Sequence, residues 1–260
     1  MLLSELPRAN GIKFNDLILK PRGIEAIVSR SCRLVLLESN TDRTLPLGRT
    51  GTCTLLKNRQ RRFVVMTRHQ LGLQPNVAPD LDVLETVRVA SGQGQLRNIP
   101  LGNCIFETSN SDQEFHDLLF FEVSGDWIGA NLDAPYFVSV NGFNSGKRHL
   151  SRVFGCPVLP VVMGEYLENF GSETEARIHI KTSFAACQFD EDFQSTTPYY
   201  RHYLGGPEQY PADGISGGAM FSVVDGYDGY EMVLDGIVVR AGNGHVYVVD
   251  ADYIELVLRQ

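Results

Sequence analysis

The chain reads as an all-β protein, and three features of its 260 residues point that way. Strand-length runs rich in Val, Leu and Phe recur along it, turn clusters separate them, and helical periodicity is scarce. The first half offers runs at 33–38, 52–56, 62–67, 85–90 and 117–123. The second offers 136–140, 157–163, 176–181, 219–224, 232–239 and 246–249. With 25 Gly and 12 Pro distributed among these runs, the spacing is that of a sandwich or barrel. One helix is expected at the C-terminus, where Asp250 or Asp252 can cap a segment whose Tyr253, Ile254, Val257 and Leu258 share a face. A shorter helix is expected around 22–30. The strand-poor stretch 126–135 reads as the join between two β halves. The chain then divides into a lead-in (1–30), a first β unit (31–125), the linker and a second β unit (136–260).

Composition narrows the function. The chain carries 23 Lys and Arg against 31 Asp and Glu, a net charge of −8. Phosphate neutralisation needs a basic surface, so a general nucleic-acid binder is not expected. No run approaches the 18 or so apolar residues of a spanning helix, so no membrane partner is expected. Five single cysteines and an opening stretch without a signal-like apolar segment lead to the expectation of a reducing cytoplasm. No phosphate loop is present: Gly242-Asn-Gly-His245 lacks the later glycine and the strand–helix context. Zinc spacing is likewise missing from the histidines and cysteines.

The most informative stretch is Asp213-Gly-Ile-Ser-Gly-Gly-Ala-Met-Phe221. Glycines at −2, +1 and +2 around Ser216 permit backbone angles closed to other residues and let a substrate approach the main chain. That suits a nucleophilic hydroxyl beside an oxyanion hole made by the Gly214 and Ser216 amides. It equally suits a glycine-rich turn in which the serine is incidental. A serine nucleophile needs a base. Of six histidines, only His69 directly follows a strongly apolar strand, in Phe63-Val-Val-Met-Thr-Arg-His69, where a rigid scaffold can present it. Asp117 opens the apolar run Asp117-Leu-Leu-Phe-Phe. If buried it needs a hydrogen-bond partner, and an imidazole would serve; an exposed strand-edge Asp is the plain alternative.

Taken in order, Gly51-Thr-Cys-Thr-Leu-Leu, Phe63–His69, His116-Asp-Leu-Leu-Phe-Phe, Gly214-Ile-Ser-Gly-Gly218 and Leu234-Asp-Gly-Ile-Val-Val239 resemble the trypsin-like (chymotrypsin-fold) serine peptidase family over roughly residues 31–258. The resemblance implies two six-stranded antiparallel β-barrels packed face to face, with His69 and Asp117 from the first and Ser216 from the second. It implies that Ser216 attacks the peptide carbonyl, His69 moves the proton and Asp117 orients the ring, without a cofactor or metal. It also implies a primary pocket lined by Tyr210, Asp213, Val239, Ala241 and His245. There His245 or neighbouring Arg240 would favour an acidic or polar side chain and Asp213 a basic one; plain loop surface is the alternative for all three.

The chain departs from the family's secreted members. Ile215 stands where they carry the Asp that pairs with a new N-terminus, Ala219 replaces a proline, and Arg68 replaces an alanine. Cys53 sits where relatives bridge a cysteine near the base, yet no cysteine flanks His69. Intracellular and bacterial branches are closer. The expected function is a serine endopeptidase acting on protein or peptide substrates, restrained by an activating or regulatory protein. A catalytically silent binding module of the same fold is the alternative, and an esterase with the same triad is a third.

Overall fold

The computed structural model describes residues 11–14, 17–20, 29–38, 47–74, 78–89, 99–106, 117–123, 137–140, 152–170, 173–184, 186–195, 199–205, 214–226 and 229–259. Within them the order begins β1 (Ile12–Phe14), β2 (Leu17–Leu19), β3 (Cys32–Glu38), β4 (Leu47–Asn58), β5 (Arg61–Thr67), α1 (Leu81–Thr86) and β6 (Val87–Val89). It continues with β7 (Cys104–Ile105), β8 (Leu118–Glu122), β9 (Val138–Ser139), β10 (Arg152–Phe170), β11 (Glu173–Phe184) and β12 (Gln188–Phe189). Last come β13 (Tyr200–Leu204), β14 (Ala219–Gly226), β15 (Gly229–Gly242), β16 (His245–Asp250) and α2 (Ala251–Leu258).

The strands form two sheets. One runs β6-β3-β4-β5-β8-β7 with β9 beside β4; the other runs β11-β10-β14-β15-β16-β13-β12 with β1 beside β15 and β2 beside β1. The all-β expectation holds, while the sheets have seven and nine strands among the described residues rather than six each. The added strands are two or three residues long, too short for an alternating pattern to mark them. Two pairings are parallel, β1 with β15 and β4 with β9. Both short strands reach their partner from a distant part of the chain, so no hairpin imposes antiparallel direction.

Period-two alternation explains the packing. Phe63 and Val65 face one way, into a cluster that also holds Phe120, Phe221, Leu234, Ile237 and Ile254 and so joins the two sheets. Val64 and Met66 face the other way, with Leu119 and Phe121, into the interior of the first sheet. Met220, Val238, Val246 and Val248 fill the interior of the second with Tyr203. Each fully buried side chain of this size contributes roughly 1.5–3 kcal/mol.

Local chemistry sets the ends. The two-residue turn between β15 and β16 is Asn243-Gly244, both at positive φ (52° and 77°), the backbone a type I′ hairpin requires. This fixes His245 at the start of β16. Asp250 caps α2 by accepting from Asp252 N–H at 2.9 Å, and Tyr253, Ile254, Val257 and Leu258 are buried as the sequence predicts. Of the helix expected around 22–30, only Ser29–Ser31 is described, as a single 3-10 turn; the rest lies outside the described residues, as does the linker 126–135. Of residues 85–90, read as a strand, 85–89 divide between the end of α1 and β6, and Ala90 lies outside the described residues.

A polar network lies under the second sheet. Arg201 meets Asp250 at 2.6 Å and Asp235 at 3.3 Å, and Asp235 accepts from Ser222 Oγ at 2.9 Å. One guanidinium thus faces two buried carboxylates. Burial, aided by Asp250 and opposed by Arg201, pushes the Asp235 carboxyl up to about 7 from 3.8. The folded state therefore binds a proton that the unfolded chain has released across that window. Stability from this group is fully present below about pH 4 and is lost as pH rises to about 7, by a few kcal/mol on the order given by 1.4 kcal/mol per unit. Urea titrations from pH 4 to 8 are expected to show this slope, and Asp235→Asn is expected to flatten it.

Candidate functional site

His69 opens a 3-10 turn directly after β5, and Asp117 directly precedes β8, the strand paired with β5. Two paired strands therefore bring these residues together across 48 positions of sequence. The carboxylate grips the histidine twice: Oδ2 lies 2.6 Å from Nδ1, and Oδ1 accepts the His69 backbone N–H at 3.1 Å. An Asp carboxylate offers only acceptors, so Nδ1 carries a proton, and in the neutral ring Nε2 is the nitrogen with the lone pair. The ring is half exposed, and its Nε2 lies 3.5 Å from Thr67 Oγ1, the far limit of a hydrogen bond. Arg68 N–H donates to the Asp117 carbonyl at 2.6 Å. The Arg68 side chain turns inward, 2% exposed, with its guanidinium 4.7 Å from the Phe106 ring centre. Burial lowers its basicity, with Cys104 and Asp117 opposing that shift.

Ser216 sits in the turn before β14. Gly214 and Gly217 adopt φ of 87° and 79°, a region open chiefly to glycine. Gly218 N–H donates to the Ile215 carbonyl at 2.9 Å, and Gly217 N–H donates to Val238 at 2.8 Å. Because a trans peptide points its C=O and N–H oppositely, the Ser216 amide faces away from the bond made by the Ile215 carbonyl. Among the described residues, the amides of Gly214 and Ser216 have no acceptor. The Ser216 hydroxyl donates to the Val239 carbonyl at 3.3 Å, and no hydrogen bond links it to His69.

The residues that hold this turn were missed in the sequence. Thr52 Oγ1 donates to the Gly214 carbonyl at 2.5 Å and Thr54 Oγ1 to the Gly217 carbonyl at 2.8 Å. The Ser216 carbonyl receives both Thr52 N–H at 3.3 Å and Gln70 Nε2 at 2.5 Å. Gln70 Nε2 also donates to the Thr52 carbonyl, while its Oε1 accepts Thr67 N–H, each at 3.0 Å. A Cβ on Gly51 would overlap Gln70 Nε2, and one on Gly217 would overlap the Thr52 carbonyl oxygen. Gln70 thus stands next to His69, and its amide ties the base-side turn to the serine turn. The available signal was a polar residue abutting an apolar strand end, opposite two distant glycines.

The remaining candidates separate. Val239 supplies the carbonyl that holds the serine hydroxyl, and Ala241 packs on the interior of the second sheet. His245 is exposed and bonded to His202, and the exposed Arg240 lies 4.3 Å from the Tyr247 ring centre. Tyr210 and Asp213 lie outside the described residues. Cys32, Cys53, Cys104 and Cys187 are free; burial raises the thiol of Cys53 far above its usual range and those of Cys104 and Cys187 to about 12, so these three are poor nucleophiles.

No protein-family model matches the chain, and no curated protein matches it significantly. The class is set by architecture: an all-β chain of two curled sheets, compatible with a chymotrypsin-like double β-barrel. Among the described residues no helix is long and apolar enough to cross a membrane.

Gln70→Glu replaces two N–H donors with acceptors aimed at the Ser216 and Thr52 carbonyls. It is expected to destabilise the protein by about 1–3 kcal/mol and to raise amide hydrogen exchange selectively at residues 214–218, read by mass spectrometry.

Proposed function

We propose that the chain is a serine endopeptidase in which Ser216 is the nucleophile, His69 the general base and Asp117 the residue that orients it. The observation that carries this reading is the two-point grip of Asp117 on His69, which makes Nδ1 the donor and, in the neutral ring, Nε2 the basic nitrogen. A base needs that tautomer. Support comes from the Ser216 turn, tied to the base-side turn through Gln70 and offering two amides without an acceptor among the described residues. In this reading Nε2 takes the Ser216 proton as Oγ attacks the substrate carbonyl. The Gly214 and Ser216 amides then bind the oxyanion, and the imidazolium returns the proton to the leaving amine. Asp117 stabilises the imidazolium throughout. The compartment, protein substrate and regulatory partner expected from the sequence belong to this proposal.

One observation favours the second reading, a binding module of the same fold: the Ser216 hydroxyl bonds the Val239 carbonyl and not the ring. Attack requires a χ1 rotation that releases it, a change within the ordinary rotamer repertoire.

Labelling with a fluorophosphonate, read by intact mass, decides between them. A single adduct is expected on the wild type and none on Ser216→Ala, whose fold should be unaltered; a folded wild type without adduct supports the binding module. Asp117→Asn is expected to lower peptide turnover by roughly 10⁴-fold by stabilising the wrong tautomer, measured as kcat on a fluorogenic peptide.

A further inference from the structure

Two hydroxyls bear on the His69 base, and in the resting structure neither makes the contact that attack requires. Ser216 Oγ donates to the Val239 carbonyl at 3.3 Å. Thr67 ends β5 two residues before His69, and its Oγ1 lies 3.5 Å from Nε2. Asp117 makes Nδ1 a donor, so in the neutral ring Nε2 accepts and the Thr67 hydroxyl donates. That nitrogen has a single lone pair in the ring plane and takes one donor at a time. Thr67 and Ser216 therefore compete for the same atom.

Burial separates their roles. Thr67 is 0% exposed, so a substrate carbonyl does not reach it and it is no second nucleophile. A buried hydroxyl does need a hydrogen-bond partner, and among the described residues Nε2 is the one Thr67 Oγ1 has. The Thr67 backbone is fixed on two sides. It pairs with Leu118 of β8, and its N–H donates to Gln70 Oε1 at 3.0 Å. Gln70 Nε2 holds the Ser216 carbonyl, so one glutamine amide places the backbone behind both competing hydroxyls. Exchange between them asks little of the fold: the Thr67 O–H swings off Nε2 while Ser216 turns about χ1.

We infer that Thr67 is a positioning residue that restrains the base: it occupies Nε2 in the resting protein, and Ser216 displaces it before the proton moves. The inference rests on the proposed function, since only a nucleophilic Ser216 gives the competition a consequence. Both resting contacts lie at the long end of the hydrogen-bond range. They bias the site and do not lock it, so the restraint is worth a severalfold change in rate and not an on–off switch. It is internal to the chain and operates without a partner. The hydroxyl is what matters, because a valine at this position would fill the same branched shape without a donor.

The rate of fluorophosphonate labelling reads the competition, because Nε2 takes the Ser216 proton as the O–P bond forms and fluoride leaves. Thr67→Val is expected to raise the second-order labelling constant roughly 3- to 10-fold over wild type, the worth of one weak hydrogen bond. Thr67→Ser puts the hydroxyl back and is expected to bring the rate back toward wild type. The ring is read separately by NMR in Ser216→Ala protein carrying isotope-labelled histidine, in alkaline buffer where an imidazole is neutral. There Thr67→Val is expected to move the His69 Nε2 resonance toward that of an unbonded ring nitrogen and to leave Nδ1 in place. A general packing defect would not single out one nitrogen. An unmoved Nε2, or a moved Nε2 with labelling unchanged or slower, overturns the inference and leaves the triad standing. No labelling of wild type or Thr67→Val, with Nε2 still responding, overturns the triad, and the restraint falls with it.

Discussion

The carbonyls of one turn fix how the two sheets meet. Apolar burial drives the sheets together through Phe63, Phe120, Phe221 and Ile237, but such burial is non-directional and would tolerate sliding. Hydrogen bonds from Thr52, Thr54 and Gln70 to the Gly214, Ser216 and Gly217 carbonyls do not tolerate it. Three donors on one sheet select one position of a turn on the other. Glycine is required at Gly51 and Gly217 because a Cβ would occupy the space of the amide or carbonyl that makes those bonds. The turn's amides are left pointing elsewhere, which is the condition for their use as donors to something outside the protein.

The same logic governs the base side. Asp117 and His69 meet because β5 and β8 are paired, with Thr67 opposite Leu118. Backbone register, more than side-chain attraction, sets the 2.6 Å contact. Gln70 then shares one amide between that turn and the serine turn. Displacement of either turn leaves buried donors or acceptors without partners, at about 1–3 kcal/mol each. Relative placement of the three candidate residues is therefore held by polar geometry, and the apolar clusters supply the force.

Charge in the second sheet is arranged in two layers. Beneath, Arg201 is shared between Asp235 and Asp250, and Asp250 also caps α2. On the outer face, Asp190, His202 and His245 form a line with Tyr247 and Arg240 beside it. The Asn243-Gly244 turn sets the register of both, because it decides which residues of β16 face β13. A one-residue slip would send His245 and Tyr247 to the interior and Val246 and Val248 to water.

Much of this was legible in the linear sequence. Strand-length apolar runs mark β3, β5, β8, β14, β15 and β16, the C-terminal helix is marked by its capping Asp and apolar face, and the glycines flag the Ser216 turn, since each depends on neighbours a few residues away. Strands of two or three residues were not legible, because their pairing is imposed by partners far along the chain. His69, Asp117 and Ser216 could be nominated from sequence as chemically apt residues. Whether a carboxylate grips a particular ring nitrogen is a matter of strand pairing. Gln70 was invisible for the same reason: a glutamine carries no mark of function until a partner at hydrogen-bond distance gives it one. Local pattern fixed the strand type and the reactive residue types. Tertiary structure decided which of them touch, because a hydrogen bond acts within about 3 Å and only the folded chain brings residues 48 or 146 positions apart to that distance.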